Sequence, residues 1–384
     1  MLQAKARAKK GLRLTAAALA ALCLLLGSIS TASAEAAKGE PYKIGGTFPL
    51  SGPLGAWGQL MVPALEIAVQ NANAAGGVNG RPLKLVLEDS KGNPEGAVTG
   101  MRKLVQVDGV AGILSMFTNV VSAQMPLADQ LKIPVLSPVE APGLVKNSQW
   151  AFAHSAVASA TLPLIFDYWK KTKVKRLFAF YPNTPIAKFL SPMVKDAAKN
   201  LSIEYDEALF KLGDTDFRGI ITRAKSYNPD AILIYGHGTP DEGVIMKQIR
   251  ELGMATQLYN GCACITVKSY RESAGNAGNG AIFAGFKYDR KYAKPFIDAY
   301  TSKVGFAPDY AALEAYDMVF MMAEAIRKHG YSGDGIRQGL AELKNFQSIG
   351  GGLVSMDAER QSVVAVGLYR VNDVTRLDYA EIKP

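Results

Sequence analysis

The sequence predicts an α/β fold of two doubly wound, parallel-sheet lobes joined by a multi-strand hinge. Strand-like apolar segments alternate with segments of helical spacing along the chain, which is typical of a parallel sheet covered by helices. The alternation runs through two successive series of similar length. Of the 384 residues, the 350 that follow the N-terminal leader are too many for one hydrophobic core and suit two domains.

The N-terminus has the three parts of a secretory signal peptide. Five basic side chains precede any acidic residue: Lys5, Arg7, Lys9, Lys10 and Arg13. An apolar run from Leu14 to Leu26 and the small-residue stretch 31–34 follow, as in secretory signals. The run is shorter than the ~20 apolar residues that a membrane-spanning helix needs. We therefore predict a signal peptide of residues 1–34, cleavage after Ala34 and export to the periplasm.

Removing this leader changes the charge of the chain. The whole sequence has 43 basic and 34 acidic side chains, a net charge of +9. Without the five basic residues of the leader, 38 basic side chains face 34 acidic ones, which leaves +4. That balance is typical of an ordinary soluble surface, so we predict no nucleic-acid partner.

The first series of elements begins soon after the leader. Residues 42–48 are strand-like, and residues 56–75 show helical spacing that ends at two glycines, a helix C-terminal signal. Alternating leucines from Leu83 to Leu87 predict the second strand. The remaining segments of this series are a helix over 94–107, a strand over 110–116, a helix over 121–131 and a strand over 133–136.

The second series has the same character and begins near residue 158 with a helix. Its strand-like segments are 176–181, 203–208, 231–235, 258–259 and 281–283, and its other helical segments are 186–199, a stretch through 220–221, and 244–252. Repeated βα units require right-handed crossovers and a parallel sheet with helices on both faces.

The C-terminal part, from Lys287 onward, has three helical patterns but only two strand-like segments. This is too little sheet for a third domain, so the segment must complete the two earlier lobes. The chain therefore crosses between the lobes more than once, which makes a hinge. We predict a first lobe of residues 42–154 and 286–366 and a second lobe of residues 155–285 and 367–384.

Common motifs of enzymes and cofactor-binding proteins are missing from the sequence. It has no dinucleotide fingerprint, phosphate loop, nucleophile elbow or HExxH zinc motif. The three histidines, His154, His237 and His329, are too few for a multi-histidine metal site. His237 follows a strand, and we interpret it as a surface or cleft-lining side chain rather than a catalytic base. We predict that the chain is not an enzyme and holds no metal or cofactor.

Two cysteines, Cys262 and Cys264, remain after the leader. With His237 they could imitate a soft-metal site, but three possible ligands from two loops are weak support. A disulfide between positions two residues apart conflicts with the Cα separation that such bridges prefer. We therefore expect thiols that line a cleft.

Several motifs occur in the order known from one protein family. Near the leader they are Pro49-Leu50-Ser51-Gly52-Pro53 and Ala56-Trp57-Gly58, and further along they are residues 73–81, 87–90, 133–138, 217–221, 228–231 and 315–318. By these motifs, the whole chain after the leader resembles the periplasmic leucine/isoleucine/valine-binding proteins, which are type I solute-binding proteins of ABC transporters.

The resemblance implies a Venus-flytrap fold that closes on its ligand at the carboxyl ends of the strands. It also implies capture of a small amino acid, carboxylic acid or amide, and docking of the closed form on a membrane permease. A ligand-sensing receptor or regulator of the same fold is the alternative function. The secretion signal and the missing DNA-binding segment argue against a regulator.

The resemblance further implies nine ligand-binding positions. They are Trp57, Thr118, Val139, Glu140 and Ala141 in the first lobe and Ile186, Gly238, Thr239 and Cys262 in the second. Amino-acid binders of the family carry an acidic residue against the ligand ammonium where Cys262 stands. A buried ammonium needs a charged partner. Either Glu140, Asp241 or Glu242 therefore replaces that acid, or the ligand has no ammonium. This more apolar site favours a carboxylic acid or an amide over leucine.

Overall fold

The computed structural model describes residues 37–52, 54–139, 141, 143–156, 158–287 and 289–383. The predicted signal peptide, residues 1–34, lies outside these ranges, and so does Glu140. The chain from Ala37 onward forms one unit. Within the described ranges, no helix has both the length and the apolar character to cross a bilayer.

The N-terminal half builds a sheet of five strands. They are β1 (Tyr42–Phe48), β2 (Leu83–Asp89), β3 (Ile113–Ser115), β4 (Val135–Ser137) and β5 (Ala151–Ala153). All pairs are parallel, in the order β2-β1-β3-β4-β5. The connecting helices are α1 (Gly55–Ala74), α2 (Pro94–Gln106) and α3 (Thr118–Leu131). Because β1 pairs with both β2 and β3, the sheet is wound in both directions from β1, and its strand ends diverge there.

The second sheet contains seven strands. Its parallel part is β6 (Arg176–Pro182), β7 (Glu204–Phe210), β8 (Ala231–Ile234), β9 (Gln257–Asn260) and β10 (Ile282–Phe286). The helices between them are α4 (Ala158–Thr172), α5 (Ala187–Asn200), α6 (Arg218–Tyr227), α7 (Pro240–Glu251) and α8 (Lys268–Ala274). The apolar strand residues are nearly all buried, as expected of a sheet covered on both faces.

The C-terminal segment completes both halves. Its helices are α9 (Lys294–Val304), α10 (Tyr310–His329) and α11 (Gly333–Ala341), and its strands are β11 (Phe346–Gln347), β12 (Leu353–Met356), β13 (Ser362–Val363), β14 (Val366–Asp373) and β15 (Asp378–Glu381). Helices α9 and α10 pack on α1, beside the first sheet. Strands β14 and β15 extend the second sheet in the order β15-β14-β10-β9-β8-β6-β7. The described chain therefore passes between the two sheets after β5, after β10 and before β14.

The predicted fold class is confirmed, with local differences. Helix α7 begins at Pro240 rather than at Val244, because Thr239 and Glu242 form a capping box and proline suits the first helical position. Helix α3 begins at Thr118 rather than at Val121. The second sheet is not wholly parallel, since β14 and β15 pair antiparallel. The boundaries of the two lobes stay a prediction.

His154 joins the segments that run between the two sheets. It follows β5 and is fully buried. Its Nδ1 lies 2.8 Å from the hydroxyl of Ser362, just before the third passage, and its Nε2 lies 3.5 Å from Oδ2 of Asp317 on α10. Its ring packs edge-on against Phe286, which ends β10, with centroids 6.2 Å apart. His154 therefore lies in the first crossing between the two sheets and contacts residues at the other two crossings of the described chain.

Candidate functional site

A cavity of about 490 Å³, which includes space open to solvent, lies between the two sheets at the carboxyl ends of their strands. Open α/β sheets bind ligands at this edge. The side of the first sheet contributes Trp57, Met116, Phe117, Thr118, Pro138, Tyr310, Ala311 and Glu314, and the side of the second sheet contributes Ile186, Gly236, His237 and Cys264. Both halves of the molecule therefore build the site.

Three aromatic rings form the wall on the side of the first sheet. Trp57, on the first turn of α1, is 4% exposed. Its ring packs edge-on against Phe117 and Tyr310, with centroids 6.1 and 6.2 Å apart. Edge-to-face packing at such distances stabilises aromatic clusters. The wall offers apolar surface to any molecule in the cavity.

The sharp turn between β3 and α3 brings a helix N-terminus to the cavity. Phe117 occupies this turn with a φ of 74°, a left-handed conformation that non-glycine residues rarely adopt. Thr118 then begins α3 and lines the cavity beside it. The first backbone N–H groups of a helix lack partners within the helix and attract negative charge. The turn therefore brings the N-terminus of α3 and the Thr118 side chain to the cavity.

On the other side, the loop after β8 is folded around the carboxyl group of Glu242. The backbone N–H groups of His237, Gly238 and Thr239 donate to its Oε1 at 2.7, 2.8 and 3.3 Å. Glu242 is fully buried, and this burial raises its pKa to about 8, against the opposing effect of the three hydrogen bonds. Gly236 and His237 line the cavity, so the hydrogen bonds to Glu242 fix the conformation of the loop that forms this wall.

His237 is the titratable group that this loop presents to the cavity. Its Nε2 lies 2.9 Å from the Thr184 hydroxyl, and its ring packs edge-on against Phe117 across the cavity, with centroids 6.3 Å apart. Burial lowers the pKa of His237 to about 4. The imidazole is therefore neutral at pH 7 and acts as a hydrogen-bonding group rather than as a charge.

The expectation of two cleft-lining thiols is wrong, because Cys262 and Cys264 form a disulfide. Ala263 begins a short 3-10 helix that ends at Thr266. The turn brings the two cysteine Cα atoms to 5.1 Å, within the range that disulfides span. The Cys264 sulfur lines the cavity and lies 3.8 Å from the Tyr310 hydroxyl. In the part of the chain that the structure describes, no cluster of side chains could hold a metal ion.

Comparison with known proteins decides the family. A family model described as periplasmic binding protein matches residues 41–375, which is most of the chain. The chain belongs to the periplasmic binding protein family. The Leu/Ile/Val-binding protein of Escherichia coli K12 is 28% identical over 290 residues, which are 73% of this chain and 77% of that protein. The resemblance found in the sequence is therefore confirmed, as is the prediction of a binding protein rather than an enzyme.

Solved structures support the same fold for this periplasmic binding protein. LivJ, a branched-chain amino acid transporter substrate-binding protein from Streptococcus pneumoniae, was solved with isoleucine. It has a TM-score of 0.81 and 26% identity, and the match covers 90% of this chain and 100% of that chain. An ABC transporter solute-binding protein from Rhodopseudomonas palustris, solved with 3,4-dihydroxy benzoic acid, has a TM-score of 0.76 at 22% identity. That match covers 86% of this chain and 93% of the other, and shows likeness of fold alone.

The residues proposed from the sequence lie in and around the cavity of this periplasmic binding protein. Trp57, Thr118 and Ile186 line it. Gly238 faces Trp57 from the other side, and Val139, Ala141, Thr239 and Cys262 are buried close in sequence to lining residues but are not among them. Glu140 lies outside the described residues. Three of the nine predicted positions thus lie in the cavity lining, and ligand contact stays a prediction for all nine.

Sequence reasoning missed most of the lining residues, among them Phe117, Tyr310 and Glu314. Phe117 stands between a strand and a helix, where only its left-handed turn points it at the cavity. Tyr310 and Glu314 lie one turn apart on α10 and, together with Ala311, are far in sequence from the rest of the lining. The available signal was Glu314 itself, a carboxyl group between the apolar residues 311–313 and 315–316, because such groups are rarely buried without a reason.

Proposed function

We propose that this periplasmic binding protein is the substrate-binding component of an ABC transporter of the branched-chain-amino-acid type. It captures a small amino acid, carboxylic acid or amide between its two lobes and delivers it to a membrane permease. Residues 1–34 direct export, so that binding takes place in the periplasm. The first lobe comprises residues 42–154 and 286–366, and the second comprises residues 155–285 and 367–384.

This proposal rests mainly on one observation: residues from the two sides of the cavity contact each other. Phe117 packs against His237 from the opposite side. A Cβ atom added to Gly238 would lie 3.0 Å from Cζ2 of Trp57, so there is no room for a side chain at that contact. A ligand in this cavity contacts both sides, and we expect the lobes to separate at the hinge to admit it. Closure then stabilises the complex, because only the closed form contacts the ligand from both sides.

The chemistry of the cavity supports a ligand with a carboxylate and an apolar body. The N-terminus of α3 and the Thr118 hydroxyl suit a carboxylate. The rings of Trp57, Phe117 and Tyr310 suit an aliphatic or aromatic group. Isoleucine and 3,4-dihydroxy benzoic acid, the ligands of the two solved relatives, both combine these two features.

A thermal-shift screen of the protein beginning at Glu35 tests the proposal. The panel contains amino acids, aliphatic and aromatic carboxylic acids, amides and sugars. A ligand that binds only the folded state, at 100 times its dissociation constant, stabilises it by about 2.7 kcal/mol. We expect carboxylates from the panel to raise the melting temperature, with one molecule bound per chain by calorimetry and the ligand recovered unchanged. No rise with any carboxylate, or conversion to a product, would contradict the proposal.

Thr118→Val gives this screen a matched test of the carboxylate site. The substitution removes one hydroxyl at nearly constant volume, and we expect carboxylate affinity to fall about tenfold. Thr222→Val makes the same change on the exposed face of α6, where the hydroxyl donates to the Arg218 carbonyl oxygen. This control should bind as the wild type does. Equal affinities of all three proteins would place the carboxylate elsewhere.

A further inference from the structure

Glu314 brings a carboxyl group to the cavity from α10. The side chain lines the cavity one helical turn after Tyr310, and the residue is 1% exposed. Residues four apart on a helix lie on the same face, so Tyr310 and Glu314 face the cavity together. Within the described lining, Glu314 is the one acidic side chain.

Of the carboxyl groups considered from the sequence, Glu140 lies outside the described residues, and Asp241 and Glu242 lie outside the cavity lining. Oδ1 of Asp241 accepts from the backbone N–H of Gly213 at 2.7 Å, and Glu242 accepts three backbone N–H groups of its own loop. Neither of them is among the residues that line the cavity. Cys262 is held in the disulfide and cannot supply a charge.

Glu314 is therefore the lining side chain that could balance the positive charge of a ligand ammonium in the cavity. A ligand ammonium that leaves water needs an opposite charge and hydrogen-bond acceptors. The lining also contains Thr118, at the N-terminus of α3, which suits a carboxylate. The rest of the lining is apolar or aromatic, apart from the backbone and the neutral His237.

We propose that Glu314 is the specificity-determining residue that accepts the ligand's ammonium group, so that the site selects amino acids over the corresponding acids without an amine. This inference rests on the proposed function. It assigns the role to α10, on the side of the first sheet, rather than to position 262 on the side of the second. The ligand then lies with its carboxylate at α3, its ammonium at Glu314 and its side chain against the aromatic wall.

Matched ligand pairs test this selection by calorimetry. The pairs are L-leucine with 4-methylpentanoate and L-phenylalanine with 3-phenylpropanoate, and each pair differs only by the amine. We expect the wild type to bind at least one amino acid at least tenfold more tightly than its partner acid. Glu314→Gln should weaken binding of that amino acid about 100-fold, because one partner of a buried charge pair is lost. Its affinity for the partner acid should stay within about threefold.

Two further variants control for indirect effects. Glu324→Gln makes the same change on the same helix, at an exposed glutamate paired with Arg327, and should leave both affinities unchanged. Glu314→Asp keeps the charge and should keep the preference for the amine, which retains a readable variant if the glutamine form folds poorly. Circular dichroism and the melting temperature of each unliganded variant report its folding.

The outcomes separate this inference from the proposed function. If the wild type binds the acids as tightly as the amino acids, or if Glu314→Gln lowers both affinities equally, the role of Glu314 is refuted while capture of carboxylates stands. If no member of either pair, and no other carboxylate, binds to the wild type, both the inference and the proposed function are refuted.

Discussion

Glu242 holds the loop that forms one wall of the cavity, and replacing it by alanine tests how that wall is built. The substitution removes the acceptor of three backbone N–H groups, two of them on buried residues. Each hydrogen bond contributes about 1 kcal/mol net, so we expect the free energy of unfolding to fall by about 3 kcal/mol. Glu242→Gln keeps an oxygen acceptor at the same place and should lose less than about 1 kcal/mol at pH 6.

The raised pKa of Glu242 adds a pH dependence with a definite sign. In the unfolded chain the pKa of the group is near the ordinary glutamate value of 4.5, whereas burial raises the folded pKa to about 8. Between these values the unfolded state releases its proton and the folded state keeps it, so stability falls by up to about 1.4 kcal/mol per pH unit. Glu242→Gln has no titrating group at this position and therefore lacks this pH dependence of stability. From pH 6 to pH 8 the wild type should therefore lose about 2 kcal/mol relative to Glu242→Gln.

Urea denaturation at pH 6 and pH 8, followed by far-ultraviolet circular dichroism, measures both effects. Other titrating groups contribute equally to the two proteins and cancel in the comparison. Parallel pH dependences of the wild type and Glu242→Gln would show that Glu242 is already ionised in the folded protein at pH 6. A loss below about 1 kcal/mol for Glu242→Ala would show that the three N–H groups find other acceptors.

Three other predictions concern the aromatic wall, the disulfide and the hinge. Trp57→Ala should weaken ligand binding at least tenfold in calorimetry with an unchanged circular dichroism spectrum, and an unaltered affinity would remove Trp57 from the site. The double variant Cys262→Ser/Cys264→Ser should unfold with about 1–2 kcal/mol less free energy in urea, whereas thiol titration of the unreduced wild type should find no reactive pair from these two cysteines. His154→Ala leaves the buried carboxylate of Asp317 beside a void and should cost about 3 kcal/mol in urea denaturation; a cost under about 1 kcal/mol would show that these hinge contacts contribute little.

The alternation of strands and helices was predictable because it depends on residues close together in sequence. Side chains alternate faces along a strand and recur every three or four residues along a helix. The apolar residues of β1 and α1 show these periods directly, and β1 follows the predicted segment 42–48. Short elements such as β5, with three residues, carry too little periodicity to be recognised.

Helix starts and cysteine pairing depended on local geometry that periodicity does not report. Pro240 and the Thr-x-x-Glu spacing of Thr239 and Glu242 were available as N-terminal signals, whereas apolar periodicity placed the helix start at Val244. Spacing alone also argued against a bridge between Cys262 and Cys264. The turn into the 3-10 helix removed that objection by bringing the Cα atoms to 5.1 Å.

The sequence by itself determined the α/β class, the two series of βα units and the resemblance that family membership confirms. The tertiary structure alone decided which side chains share the cavity. Trp57 and Glu314 both line it although some 250 positions separate them in the chain. Local patterns report only which face of an element is buried. The neighbours across a cleft are set by how separate elements pack and how the lobes close. The role of a buried glutamate such as Glu314 can therefore be inferred only once the residues on the opposite wall are known.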